Sequence, residues 1–76
     1  MLYAYTVAIE FGDNTIGKNG WTIDIYPSAI SDRTEFLKKF NERYSGNGIE
    51  DVTILDKAIV DDLNDLINAK ANYTVI

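Results

Sequence analysis

Carboxylates are the main chemistry this chain has to offer. It carries twelve Asp and Glu against seven Lys and Arg, with no cysteine and no histidine. Thiolate nucleophiles, imidazole acid–base catalysis, disulfides and Cys/His zinc sites are therefore excluded. Asp61 and Asp65 are spaced one helical turn apart, close enough to share a proton or to bind a divalent cation weakly. A helical wheel turns both away from the apolar stripe of Ile59, Val60, Leu63, Leu66 and Ile67. In water nothing raises a carboxyl pKa or keeps solvent out. The expectation is a non-enzyme with no cofactor and no metal.

Two other motifs fail on their own terms. Gly12, Gly17 and Lys18 match the opening of a phosphate-binding loop. However, Asn19 stands where a magnesium-holding Ser or Thr belongs, and Gly20-Trp21 starts a strand where a helix is required. Asp13, Asn14 and Thr15 begin like a calcium loop, but Lys18 intrudes at the sixth position and Asp24, the twelfth, falls inside a strand. A flexible hairpin tip accounts for both. Asn72-Tyr73-Thr74 fits a glycosylation sequon, but Met1 to Ala8 do not read as an export signal. No apolar run is long enough to span a bilayer, so the expected location is the cytoplasm.

The charge is unevenly placed. Glu50, Asp51, Asp56, Asp61, Asp62 and Asp65 face a single base, Lys57, within residues 50–65, which accounts for nearly all of the net −5. Like charges at i, i+4 cost a helix roughly 0.2–0.5 kcal/mol per pair, and aspartate is a poorer helix former than glutamate. The helix dipole favours acids only in its first turn, so it covers Asp56 well and Asp65 hardly at all. By contrast, the Arg33–Arg43 stretch mixes its signs: Glu35 faces Lys38 and Lys39, and Lys38 reaches Glu42. Those interleaved acids, with a pI near 4.4, argue against nucleic-acid binding by the chain itself.

The elements that position these groups follow from periodicity. Leu2 to Phe11 alternates, with Tyr3, Tyr5, Val7, Ile9 and Phe11 on one side, and Trp21 to Tyr26 alternates again. Both read as strands joined by a long glycine-rich hairpin and ended by Pro27. Phe36, Leu37, Phe40 and Tyr44 form a helical stripe behind an Asp32/Glu35 capping box, stopped by Ser45-Gly46-Asn47-Gly48. Ile49 to Leu55 reads as a third strand. A second helix is expected from an Asp56 N-cap, with Leu55 and Val60 as its hydrophobic staple, and Asn72–Ile76 as a closing strand. The prediction is one compact α+β domain over residues 1–76. It would be a two-layer sandwich of a mostly antiparallel sheet with two helices on one face, in the order β-β-α-β-α-β.

A chain this short buries roughly 60% of its unfolded surface, leaving little core for an enclosed pocket. By size and charge it resembles the small acidic inhibitors of phages and mobile elements, some of which mimic DNA. The expected function is a non-enzymatic acidic interaction or inhibitor protein. Its six acids, Glu50, Asp51, Asp56, Asp61, Asp62 and Asp65, would occupy the basic site of a nucleic-acid-binding protein. The alternative is a homo-oligomeric structural or regulatory module that binds through its sheet, with the acids serving solubility. A homodimer is expected, formed through a reverse sheet face of Ala4, Thr6, Ala8, Thr22, Asp24 and Tyr26.

Overall fold

The computed structural model describes residues 1–13 and 18–76. Residues 14–17, which carry parts of the two loop motifs weighed above, lie outside the described residues. Strand β1 spans Leu2–Asp13, β2 Lys18–Ser28 and β3 Ile49–Val60, and they form one antiparallel sheet in the order β2-β1-β3. Helix α1 (Arg33–Arg43) lies between β2 and β3 in the chain, and helix α2 (Leu63–Asn68) follows β3. The fold is thus α+β, with element order β-β-α-β-α.

Register decides what each face carries. Tyr5 pairs with Tyr26, Val7 with Asp24 and Ile9 with Thr22, so these residues share the face under α1. Phe36 stacks on Tyr5 with ring centroids 3.8 Å apart, and Phe40 meets Tyr26 edge-on at 5.1 Å. Tyr5, Val7, Ile9, Tyr26, Phe36 and Phe40 make up the buried core. The expected helix cap is present: Asp32 Oδ1 accepts from the Thr34 and Glu35 amides at 2.8 and 3.1 Å. Gly48, with φ +77°, closes the α1–β3 turn, and its carbonyl accepts from the Gly12 amide. A Cβ there would sit 3.3 Å from the Gly12 oxygen.

Burial sets the ionisation of the core tyrosines. The Tyr5 hydroxyl donates to the Ile30 carbonyl at 2.6 Å, and burial raises its pKa. Tyr26 is pushed up further, by burial first and then by hydrogen bonding with Tyr44. Ser28, fully buried, donates to the Ile76 oxygen and accepts from the Ile30 amide.

The reverse face is a correction. It shows Ala4, Thr6 and Ala8 as expected, but beside them stand Trp21, Ile23 and Ile25; Thr22, Asp24 and Tyr26 lie under α1. A register slip of one residue exchanges every side chain between faces. Here the register that brings Tyr26 to Phe40 leaves the two isoleucines and the tryptophan outside.

The segment expected to start the second helix is strand instead. Asp56 to Val60 continues β3, pairing with Leu2 to Thr6. Had β3 stopped at Leu55, the first half of the central strand would have kept an unpaired edge; β-branched Ile59 and Val60 fit that edge well. Asp56 is therefore no N-cap. Helix α2 has six residues and is capped by Asp62, whose carboxylate accepts from the Asn64 amide at 2.9 Å. Of the expected stripe, Leu66 is half-buried, while Leu63 and Ile67 are each 66% exposed.

The helices do not share a face. Leu66 lines clefts with Leu2, Ala4, Thr6, Ile25, Pro27 and Ala58 from the reverse side, and no α2 residue joins the α1-side core. The closing strand is also absent. Residues 72–76 follow the outer edge of β2 through two separate bonds, Asn72 amide to Ile25 carbonyl at 2.8 Å and Ile76 amide to Pro27 carbonyl at 2.9 Å. Eleven helical residues reach roughly 16 Å, while twelve strand residues reach about 40 Å. The long axis of the molecule is 42 Å. One helix therefore cannot cover the sheet, and the hairpin end projects beyond it.

Candidate functional site

The six acids occupy an extended tract along β3 and into α2, and all six are exposed. Two irregularities in β3 place them. Between Glu10 and Phe11 the partners shift from Asp51 to Ile49, leaving Glu50 unpaired in a bulge. Between Thr6 and Val7 they shift from Asp56 to Ile54, leaving Leu55 unpaired.

The second bulge has the larger consequence. Asp51 and Asp56 are an odd number of residues apart, so simple alternation sends them to opposite faces. The extra residue at Leu55 restores parity and brings both to the reverse face, Asp51 opposite Glu10 and Asp56 opposite Thr6. Asp65, in the first turn of α2, lines a cleft with Asp56. Asp61 sits in the turn before α2, and Asp62 is the cap. The expected stripe of aspartates on one helix is thus replaced by acids drawn from a strand, a turn and a short helix.

The tract keeps its charge. Among the described residues one salt bridge forms, Lys39 to Glu42 at 3.8 Å on α1. The expected Glu35 and Lys38 pairings do not form. Lys57, the base nearest in sequence to the six acids, is on the α1 face. Its ammonium donates to the Ser31 carbonyl at 2.8 Å and lies 5.2 Å from the centre of the Tyr3 ring. On the reverse face the described strand positions carry Glu10, Asp51 and Asp56 and no Lys or Arg.

Sequence reasoning left out two residues of this surface, Glu10 and Trp21. They pair directly, with Asp51 on the far side of Glu10. Trp21 is 71% exposed and its neighbour Ile23 49%. The available signal was Glu10 ending the Ala4-Thr6-Ala8 row, but Trp21 joins that row only once the hairpin register is known.

Surface clefts among the described residues hold about 200 to 320 Å³ each, near the small end of ligand pockets. Among the described residues no group of three or more Asp or Glu is arranged to hold a metal ion, and no helix is long and apolar enough to cross a membrane. No protein-family model, curated protein or solved structure matches the chain.

Proposed function

We propose that this chain is a cytoplasmic, non-enzymatic interaction protein that presents an acidic surface to a basic site on another protein. A site that otherwise takes nucleic acid fits that description, which makes the chain a DNA mimic in charge. One observation carries the reading: six exposed acids between Glu50 and Asp65 have no salt-bridge partner among the described residues, and Lys57 is engaged on the other face. Unscreened like charge costs stability in the free protein and is recovered when a cationic surface docks.

Capture from lysate at low and high salt tests this, comparing the wild type with a variant carrying amides at all six positions. Nucleic-acid-binding proteins should be retained at low salt, released by added salt, and lost with the variant. Retention by the amide variant at high salt overturns the reading. The exposure of Trp21 and Ile23 supports a second reading, a homo-oligomeric module joined through the sheet; sedimentation at tens of micromolar distinguishes it.

A further inference from the structure

We propose that the hairpin end of the reverse sheet face is a docking site for an extended protein segment, which lays an arginine or lysine between Trp21, Glu10 and Asp51. The proposal rests on the acidic-surface reading above and names where on that surface the cation goes.

The geometry is a single row across the sheet. Trp21 on β2, Glu10 on β1 and Asp51 on β3 are consecutive cross-strand partners on the same face. Strands lie about 4.8 Å apart, so the row spans roughly 10 Å. The next row is Ile23, Ala8 and Thr53, and Ala8 and Thr53 help line a shallow cleft with the three row residues. Small side chains there keep the cleft open.

Charge selects the occupant. Two carboxylates directly opposite each other destabilise a strand pair, and no described strand position on this face carries a base. A guanidinium stacked on the indole and bonded to a carboxylate would relieve them, because its planar fork suits both surfaces. A purely apolar partner would strip water from two carboxylates without compensation. A second copy would bring the same acids against these, and nucleic acid would be repelled. Ile23, two residues from Trp21 on the same strand face, is half exposed and accepts an apolar side chain two positions from the cation. The segment that fits carries a basic residue and, two positions along on the same face, an apolar one.

The test uses a ten-residue peptide of repeating Arg-Thr-Leu-Thr, which puts arginine and leucine two positions apart on one face, and its counterpart with uncharged citrulline in place of arginine. Trp21 is the only tryptophan in the chain, so its emission reports occupancy of this site directly. The arginine peptide should shift that emission saturably and the citrulline peptide should not. By calorimetry, Trp21→Ala and the Glu10→Gln/Asp51→Asn pair should each weaken binding at least tenfold. Asp61→Asn with Asp65→Asn should change it less than threefold. If the Asp61/Asp65 variant loses binding while the Glu10/Asp51 variant keeps it, this location falls and the acidic-surface reading stands. If the two peptides bind alike, or neither binds, the cation site falls. If Trp21→Ala abolishes a dimer of the free protein, a second copy is the occupant and the proposal is overturned.

Discussion

The two faces of one three-stranded sheet have been put to opposite uses. Under α1, Tyr5, Tyr26, Phe36 and Phe40 interlock with almost no exposed area. On the other side, α2 leans on one end through Leu66 while Trp21 and Ile23 stay in water beside Glu10 and Asp51. Both faces are rich in aromatic or branched side chains. Coverage distinguishes them, and coverage follows from length: an eleven-residue helix is less than half as long as the strands it packs on. The contrast shows that alternation sorts residues into two sets without saying which set a short helix will bury.

The sharpest way to break this contrast is to truncate matching aromatics on the two faces. Phe36→Ala should cost about 3–5 kcal/mol, much of the stability of a domain this size. Trp21→Ala should cost under about 1 kcal/mol, since little contact is lost at an exposed position. Urea melts of the two variants make the comparison; equal losses would mean that the reverse face is packed after all.

A smaller effect is expected where the tail joins the α1 side. Ser28→Ala leaves the Ile30 amide and the Ile76 oxygen without their shared buried hydroxyl, at a cost of about 1–3 kcal/mol. Hydrogen exchange should show the Ile76 amide losing protection while amides in the middle of β1 keep theirs.

The core tyrosines add a gentler dependence on pH. Their pKa values are raised in the folded protein, so above about pH 10 the unfolded chain loses protons that the folded chain retains. Stability should be unaffected by Tyr5 and Tyr26 below that point and fall as pH rises beyond it. Denaturant midpoints between pH 9 and 11 check the sign, and Tyr26→Phe should flatten the slope.

Near the end of α2 the expected change is a gain. Lys70 has φ 55°, and the Ala71 and Lys70 amides bond the Leu66 and Ile67 carbonyls, the pattern of a glycine-ended helix with lysine in the glycine position. Lys70→Gly should stabilise by up to about 1 kcal/mol, seen as a higher melting temperature. The smallest shift is expected from Glu10→Gln, which removes the repulsion facing Asp51 and should add roughly 0.2–0.5 kcal/mol. A loss of stability there would mean that Glu10 has a favourable partner.

Legibility varied along the chain with how local the deciding interaction was. The Asp32 cap and the Phe36/Phe40/Tyr44 stripe act within one turn or two, and α1 formed as read. Asp56 to Val60 carried an equally good local helix signal, with cap and staple both in place. It became strand because Leu2 to Thr6, fifty or more residues earlier, needed a partner. The candidate site suffered from the same distance. Its acids were evident by type and grouping, but the helix face proposed for them dissolved once Asp56 joined β3 and Asp61 fell in a turn.

By itself, the amino-acid order determined the absence of Cys and His chemistry, the crowding of acid into residues 50–65, the first helix and the alternation of the hairpin strands. Each depends on composition or on contacts a few residues apart. Only the tertiary structure decided the hairpin register, the bulge at Leu55 that carries Asp56 to the side of Asp51, the separation of the helices onto opposite faces and the exposure of Trp21. Those depend on which long-range pairing satisfies the central strand's backbone and buries the aromatic cluster together, a competition that no local window of residues contains.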